Sequence, residues 1–399
     1  MIPHRMTEKD KRMTIKRNEL YIMHGQAYTE MTRELLRRCG LADLIPSRNA
    51  LIGIKPNLLA PIRADEGATT HPEVTEGVLI YLREEGFENV VILESSWVGD
   101  RTEISFEYCG YEQLSRKYQT PLWDLQEDPG VDVEARGMTL KVCKRALDID
   151  FLINLPVIKG HCQTKMTGAL KNLKGLLPAG EKRRFHRMGL HEPIAHLCAS
   201  LNQGFILADC ICPDLSFEDG GNPVQLDRLI AALDPVLLDT YGCRLVGVAP
   251  EEVPYIGLAS GLGAGSCDPD EARITHMHQS FEKGCAVYRT DPGQAWDEES
   301  CSGAGGYRTV MKLAENVHEV ESCSACYAGL IPALRRLEEE GLLQDLTEKI
   351  CIGQGYRGKD GELGVGNCTS RFRHSLKGCP PTQEEIYDYL KAYCRSCTI

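Results

Sequence analysis

The residue types best suited to chemistry are concentrated in one polar stretch, residues 159–174. It contains four lysines, one histidine, two threonines, a glutamine and an asparagine, and no acidic residue lies between residues 151 and 178. A solvated helix start would normally interleave glutamate with lysine. The pattern therefore favours a site for an anion over an ordinary surface segment.

Two residues of this stretch are candidate catalytic groups. His161 is predicted to be a general acid or base, because imidazole titrates near neutral pH. Lys171 is predicted to be a base or nucleophile, because desolvation among other cations lowers the pKa of an amine. The alternatives are a structural loop histidine bonded to the backbone and an ordinary lysine.

Ammonium, hydroxyl and amide groups can hold a carboxylate or a phosphate. Such groups stand in the polar stretch and in two earlier segments, and we predict that they bind a small anionic substrate or a phosphorylated cofactor. The predicted anion-binding residues are Lys55, Asn57, Thr70, Lys159, Lys165, Thr167 and Asn172.

Candidate metal ligands lie near the C-terminal end, where seven of the eighteen cysteines fall in the last eighty residues. Cys323 and Cys326 form a CxxC pair, and Cys379 stands before two prolines. With Cys368, which follows a glycine-containing segment, they supply four thiolates, a set that suits a [4Fe–4S] cluster or a structural zinc ion. The Cys-Pro element and the uneven spacing favour the iron–sulfur cluster, and zinc is the alternative.

Secondary structure must position these groups. Residues 151–155 form a short apolar run ended by Pro156 and Gly160, which is typical of a strand buried in a parallel sheet. Residues 51–54 and 90–93 have the same character and are separated by a helical pattern. Loops that follow parallel strands meet at the carboxyl edge of the sheet, where open α/β folds bind ligands. We therefore predict an α/β fold with a mostly parallel sheet, helices on both faces, and a smaller cysteine-rich α/β lobe.

Length and charge limit the class of protein. The chain has 399 residues and a formal net charge of −12, which argues against general nucleic-acid binding. No apolar run reaches the roughly 18 residues that a membrane-spanning helix needs. The start of the chain lacks the apolar core of a secretory signal, so we expect a cytoplasmic protein without a disulfide framework.

The length also allows more than one domain. Residues 280–322 are poorly patterned, so we place a junction near them. The predicted units are an N-terminal tail at residues 1–18, an α/β domain at 19–275 with its cationic loop at 159–175, and a cysteine-rich metal-binding domain at 276–399.

Several segments together resemble the domain-of-unknown-function 362 family. The likeness covers roughly residues 50–265 and the cysteine-rich end, and the central loop is its most specific part. It implies the fold and an association with iron–sulfur clusters, whereas the reaction of the family is not established. The segments are KPNLL at 55–59, THPEV at 70–74, INLPVIKGHCQTKMTGALKNLKG at 153–175, ALDPVLLDTYGCRLVG at 232–247 and LKGCPP at 376–381.

A more distant resemblance is to nickel-dependent lactate racemase, in which a strand leads to a loop with a histidine and, ten residues on, a lysine. His161 and Lys171 have that separation, with Gly168 between them. The glycine pair before the lysine and the other catalytic histidine of that enzyme have no counterpart here. The likeness therefore implies a similar placement of the histidine and the lysine after a strand. It does not imply racemization with a pincer cofactor.

These features predict an iron–sulfur enzyme, of oxidoreductase or lyase/isomerase type, that acts on a small anionic substrate in a cleft between two lobes. A ferredoxin-like electron donor is a candidate partner, whereas nucleic acid and membrane are not expected partners. The alternatives are an electron-transfer protein without its own substrate and a zinc-stapled anion-binding protein. Only the enzyme hypothesis requires the cationic loop and the cysteines to converge on one cleft.

Overall fold

The computed structural model describes five segments of the chain: residues 14–282, 285–291, 312–320, 322 and 324–397. Most of the predicted N-terminal tail and the predicted metal ligand Cys323 lie outside the described residues. No helix within these segments combines the length and the apolar character needed to cross a bilayer.

The first three quarters of the chain, as far as Thr290, contain a large sheet and two hairpins. Their strands are β1 Glu19–His24, β2 Ile52–Pro56, β3 Val90–Glu94, β4 Leu122–Asp124, β5 Gly130–Ala135, β6 Met138–Cys143, β7 Phe151–Leu155, β8 Lys159–His161, β9 Lys165–Thr167, β10 Phe205–Cys210, β11 Arg228–Ala232, β12 Arg273–Glu282 and β13 Cys285–Thr290. The sheet has the order β13-β12-β1-β11-β10-β7-β2-β3-β4. Strands β10, β7, β2, β3 and β4 are parallel neighbours, and β11 runs antiparallel between β1 and β10. The predicted mostly parallel sheet is confirmed.

Helices cover both faces of this sheet. Strand side chains alternate between two apolar cores, because consecutive residues point to opposite faces. Ile54 and Ile153 lie in one core with Val78, whereas Leu93 and Leu152 lie in the other. The helices are α1 Tyr28–Cys39, α2 Leu41–Leu44, α3 Pro72–Glu84, α4 Thr102–Tyr108, α5 Tyr111–Tyr118, α6 Lys144–Leu147, α7 Ala169–Asn172, α8 Ala179–Met188, α9 His191–Ser200, α10 Pro235–Val246 and α11 Pro254–Gly261.

The stretch predicted as a cationic loop folds as the β8–β9 hairpin followed by α7 and a 3₁₀ turn, Leu173–Leu176. Gly160 N–H donates to the Asp214 carbonyl at 2.9 Å. A Cβ at Gly160 would lie 2.5 Å from the carbonyl carbon of Ser216, so the close approach of the hairpin requires glycine. The carboxylate of Asp239 accepts the Ala169 N–H at 2.6 Å and so fixes the first turn of α7. The hairpin is thereby held against the segment that follows β10, and α7 against α10.

A separate lobe follows at the C-terminal end. Its four strands are β14 Val317–Glu319, β15 Ile350–Ile352, β16 Leu363–Val365 and β17 His374–Leu376, and its helices are α12 Ser324–Glu339 and α13 Gln383–Cys397. The strands pair in parallel in that order. Leu330, Leu334, Ile350, Val365 and Leu390 belong to its apolar core. The predicted smaller α/β lobe is confirmed.

The predicted division after residue 275 falls inside β12. This strand pairs in parallel with β1 along six residues and in antiparallel with β13. The large sheet therefore continues to Thr290, because β13 is its edge strand.

Candidate functional site

A cavity of about 390 Å³ lies at the carboxyl ends of β2 and β3, against the β8–β9 hairpin, α7 and α8. This volume suits a small ligand. One part of the wall is apolar, with Leu59, Ala60, Pro61, Ile62, Trp97 and Val98. The polar part consists of Lys55, Asn57, Glu94, Ser95, Asp100, Lys159, His161, Thr167, Lys171, Asn172, Lys174, Lys182, His186, Glu218 and Asp219.

Seven of the predicted site residues meet in this cavity: Lys55, Asn57, Lys159, His161, Thr167, Lys171 and Asn172. Thr70 and Lys165 are not among its lining residues. Thr70 Oγ1 donates to the Leu155 carbonyl at 2.8 Å and accepts the Asn57 N–H at 2.8 Å, so it fastens the end of β7. The Lys165 ammonium lies 2.5 Å from the half-exposed carboxylate of Glu252.

Three of the five cavity lysines donate to fixed protein acceptors. Lys55 Nζ lies 2.7 Å from Glu94 Oε2 and 2.6 Å from the Pro56 carbonyl. Lys182 donates to Ser95 Oγ at 2.6 Å and to the Ser96 carbonyl at 2.7 Å. Lys159 donates to the carbonyls of Ala68 and Glu218. An ammonium has three N–H donors, so these lysines have few left for a ligand and mainly build the wall.

Their pKa values reflect burial among like charges. Desolvation, and then the charge of Lys171, lower the pKa of Lys159 to about 7. Desolvation also lowers the pKa of Lys182 to about 7, although Glu94 opposes the shift. The pKa of Lys55 is lowered by desolvation in the same way, against the attraction of Glu94.

The other two lysines have unused donors. Lys171 Nζ makes no hydrogen bond within the part of the chain that the structure describes. Lys174 Nζ has one partner there, His186 Nε2, at 3.5 Å. Thr167 Oγ1 and His186 Nδ1 are buried without a partner among the described residues. Buried polar groups are normally hydrogen-bonded, so these atoms indicate where a polar ligand would bind.

His161 has a defined tautomer. Its Nδ1 accepts the backbone N–H of Gln163 at 3.0 Å and of Thr164 at 3.1 Å. A neutral imidazole has one N–H, so the proton must be on Nε2, which lies 3.6 Å from Glu218 Oε1. Desolvation and the charge of Lys171 hold the pKa of His161 well below its usual range. The ring is therefore placed as an N–H donor, and its only lone pair is turned away from the cavity.

His161, Cys162 and Glu218 form a group whose ligand atoms lie within 4.8 Å of one another. Cys162 Sγ is 2.8 Å from Glu218 Oε1, and Cys162 N–H donates to Glu218 Oε2 at 2.9 Å. Desolvation and Glu218 raise the pKa of the Cys162 thiol well above its ordinary value. A metal would need the Nε2 lone pair of His161, which the tautomer does not offer. The group is therefore best described as a protonated thiol that donates to the Glu218 carboxylate, with the imidazole N–H at 3.6 Å, too far for a hydrogen bond to that carboxylate.

The sequence analysis missed several of these residues. Lys182 and His186 lie one turn apart on α8 and face the cavity, and their i, i+4 spacing was the available signal. Glu218 and Asp219 lie on an irregular segment without a pattern. Desolvation, with Glu218 next, raises the pKa of Asp219 to about 7.

In the C-terminal lobe, two loops and the start of α12 carry predicted cysteine ligands near the carboxyl edge of the small sheet. The loop after β16 leads to Cys368 and the loop after β17 leads to Cys379. Asn367 N–H donates to the Gly378 carbonyl at 2.8 Å, which joins these two loops. A Cβ at Gly366 would lie 3.4 Å from Cys326 Sγ, so the third cysteine is beside the same loop. Three of the four predicted metal ligands therefore lie on neighbouring segments of the lobe, and Cys323 lies outside the described residues.

The cavity and the cysteine loops are connected by one side chain. Gln163 Nε2, next to His161, donates to the Ser322 carbonyl at 2.8 Å and to Ser322 Oγ at 3.1 Å. Cys162 packs against the apolar core of the C-terminal lobe. The β8–β9 turn therefore separates the cavity from the segment that bears the CxxC pair.

Fold and site together define a two-lobed α/β protein with a lysine-lined cavity at a sheet edge and a cysteine-rich lobe beside it. Residues 52–244, just under half of the chain, match the family model "Domain of unknown function (DUF362)", so this segment carries that domain. The predicted family is thus confirmed, while the iron–sulfur association and the likeness to lactate racemase stay predictions.

Two known proteins are similar to parts of the chain. The thylakoid-associated protein sll1697 of Synechocystis is 28% identical over 233 residues, which are 56% of this chain and 70% of that protein. A crystal structure of a Thermotoga maritima protein has a TM-score of 0.29 and 12% identity, and the match covers 74% of this chain and 61% of that chain. The chain thus spans less than two thirds of that solved protein, and a likeness at this score carries no argument.

Proposed function

We propose that this protein is an enzyme, of oxidoreductase or lyase/isomerase type, that acts on a small anionic substrate in the lysine cavity beside a [4Fe–4S] cluster. The observation that carries the proposal is Lys171, a half-buried cation on the cavity wall without a hydrogen-bond acceptor among the described residues. A partly desolvated charge without a partner is unfavourable. A bound anion would supply the missing acceptor.

Three donors are available to one carboxylate or phosphate group. They are the Lys171 ammonium, the Nε2–H of His161 and the Thr167 hydroxyl, all on the hairpin and α7. Hydrogen bonds from a cation to an anion are about twice as strong as neutral ones. In this arrangement His161 stabilises negative charge on the substrate by donation and does not remove a proton.

The apolar part of the wall supports a further property of the substrate. Leu59, Pro61, Ile62 and Trp97 face the cavity from the loops after β2 and β3. An anion with no apolar portion would leave this surface hydrated. The proposed substrate therefore has an anionic group joined to a carbon skeleton.

The proposed cluster ligands are Cys323, Cys326, Cys368 and Cys379. A [4Fe–4S] group held by all four cysteines would supply one-electron transfer; if one of the four did not bind, the open iron would supply Lewis acidity. Gln163 holds the hairpin against Ser322 and so fixes the distance between substrate cavity and cysteine loops. In the same proposal the protein is cytoplasmic and a ferredoxin-like protein is the electron donor.

The anion site is tested by calorimetric titration with malonate and with inorganic phosphate. Lys171→Met should weaken binding of either anion at least about tenfold, because a charged hydrogen bond contributes about 1.5–3 kcal/mol. Lys141→Met is the control, since Lys141 pairs with Asp132 at the surface. Equal affinities of the wild type and Lys171→Met would contradict the proposal.

The cluster is tested by anaerobic purification, iron and zinc analysis and a visible spectrum. We expect about four irons per chain and a broad absorbance. Both should be lost in Cys368→Ser/Cys379→Ser and kept in Cys267→Ser, because Cys267 is exposed and lies in the α/β domain. A colourless wild type with one zinc would favour the zinc-stapled alternative. Iron without anion binding would favour the electron-transfer protein.

A further inference from the structure

Lys174 differs from the other four cavity lysines in its surroundings. Lys55, Lys159 and Lys182 each donate to at least two oxygen acceptors. Lys171 has no such bond, but the charges of Glu218 and Asp219 favour its protonated form. Lys174 contacts no oxygen within the described residues, and its one hydrogen-bond partner there is an imidazole nitrogen.

The charges near Lys174 are mostly positive. Desolvation, followed by the cations Lys171 and Lys182, lowers its pKa well below the ordinary lysine value, and only Glu218 opposes this shift. An amine that is half-buried among other cations gives up its proton more readily than an exposed lysine does. Lysines beside other cations are known to become nucleophiles for this reason.

His186 supports the same conclusion independently. Its Nδ1 is buried without a partner in the described structure, and its Nε2 faces Lys174 Nζ at 3.5 Å. If Lys174 were an ammonium, Nε2 would accept and the single imidazole proton would lie on Nδ1, as an orphaned N–H donor. If Lys174 is a neutral amine, Nε2–H donates and Nδ1 keeps only a lone pair. Orphaned N–H donors are the rarer case in folded proteins, so the neutral amine is favoured.

We propose that Lys174 is a nucleophilic amine that forms an imine with the carbonyl carbon of a small oxo acid. This inference rests on the proposed anion site, where Lys171, the His161 N–H and the Thr167 hydroxyl hold the carboxylate. The amine lone pair forms the C–N bond while the C=O π bond opens to a carbinolamine. The carbinolamine then loses one water, made from the carbonyl oxygen and the two amine hydrogens, and the C=N bond remains.

A covalent imine explains why the cavity holds more lysines than a single anion requires. Lys171 lies three residues before Lys174, across α7 and the 3₁₀ turn, and both line the cavity. One lysine can therefore hold the carboxylate while the other reaches the adjacent carbonyl. The substrate class is a 2-oxo or 3-oxo carboxylic acid.

The test uses pyruvate as the probe and sodium cyanoborohydride as the hydride donor, at pH 7, followed by peptide mapping by mass spectrometry. At this pH only about one surface lysine in 2,500 is deprotonated, so a neutral buried amine should react selectively. We expect one reduced adduct per chain, on Lys174. Inorganic phosphate should slow its formation by occupying the anion site.

Two variants and one control separate the outcomes. Lys174→Arg keeps a cation and Lys174→Met keeps the length, and both should abolish the adduct. Lys141→Met should react as the wild type does. An adduct on Lys171, or no adduct although malonate still binds in calorimetry, would overturn the assignment of Lys174. Loss of both adduct and malonate binding in the wild type would instead overturn the proposed anion site.

Discussion

The cavity and the cysteine lobe hold their polar groups in opposite ways. Several charged groups of the cavity are buried and fixed by hydrogen bonds, as in the Lys55–Glu94 pair, whose side chains are 0% and 3% exposed. In the lobe Cys326 is buried, but Cys368 is half-buried and Cys379 is exposed, on loops beyond the strand ends. The fold itself therefore builds the first site, whereas in our proposal the second would depend on the metal group that its cysteines bind.

The difference has an energetic consequence. Burying a charge costs more than burying an apolar group, even when the charge is paired. The cavity should therefore reduce the stability of the α/β domain and respond to changes in charge. The lobe has a well-formed apolar core and cysteines at its edge, so it should respond to metal instead.

Removing one member of the buried ion pair should have the largest effect. Glu94 accepts from Lys55 Nζ at 2.7 Å and from the Leu58 N–H at 2.9 Å. Glu94→Gln leaves Lys55 without its counter-charge, so urea denaturation should show a loss of about 3–5 kcal/mol in the free energy of unfolding. Glu103→Gln, at an exposed pair with Arg101, should change stability by less than about 1 kcal/mol. Equal losses of unfolding free energy in the two variants would mean that the cavity does not depend on its buried ion pair.

Removal of a bound metal should lower the stability of the C-terminal lobe and leave that of the α/β domain unchanged. Chelation of the anaerobically purified protein should destabilise the lobe by about 3 kcal/mol, the linkage expected when a ligand is present at roughly 100 times its dissociation constant. Limited proteolysis should then cut within residues 312–397 while residues 14–282 stay intact. Cys368→Ser/Cys379→Ser should show the same cleavage without chelator. Cleavage in the α/β domain first would show that the two regions are not independent.

The cavity should also give the α/β domain a characteristic pH dependence. Desolvation lowers the pKa of Lys182 to about 7 in the folded protein, against about 10.4 for an unfolded lysine. Between these values the unfolded chain binds a proton that the folded chain lacks, so stability rises with pH.

From pH 7 to about 8.5, Lys182 should contribute about 1.5 kcal/mol to this rise. Urea denaturation of Lys182→Met should show a correspondingly flatter pH profile, and Lys141→Met should follow the wild type. The window ends at 8.5 because thiols titrate above it. Parallel profiles of Lys182→Met and the wild type would mean that Lys182 is not the group that titrates.

Local patterns in the sequence predicted the fold and about half of the polar residues that line the cavity. Apolar runs such as residues 151–155 indicated buried parallel strands, because a sheet covered on both faces leaves no polar alternation. Lys55, His161 and Lys171 were found for the same reason, since each stands at or after such a run. The sheet extension through β12 and β13 was missed, because pairing with β1 joins segments about 250 residues apart.

The other half of the site depends on tertiary contacts. Lys182 and His186 read as ordinary residues of a charged helix, and only the packing of α8 brings them to Glu94 and Lys174. The tautomer of His161 depends on two backbone N–H groups in a tight turn, which no spacing rule indicates. The sequence could therefore suggest an acid or base at this position but could not decide between donor and acceptor.

The smallest predicted effect is the change in stability when a glycine near the cavity is replaced. One such glycine is required by the packing of the cavity, and another is not. A Cβ at Gly175 would lie 2.0 Å from Glu94 Oε1 and 2.5 Å from Lys55 Nζ, so that residue must be glycine. Gly180, in α8, has open space within 4 Å of its Cβ position. Gly180→Ala should raise the free energy of unfolding by about 0.5–1 kcal/mol, because alanine restricts the unfolded chain and favours helix.

Thermal and urea denaturation measure this gain, and calorimetry with malonate measures its effect on the site. Malonate affinity should be unchanged, since α8 already holds Lys182 against the Ser95 and Ser96 carbonyls before a ligand binds. Weaker malonate binding by the more stable variant would mean that α8 must loosen to admit the anion. In that case the structure of the cavity, like that proposed for the cysteine lobe, would depend on its ligand. The two regions would then differ only in how strongly they depend on what they bind.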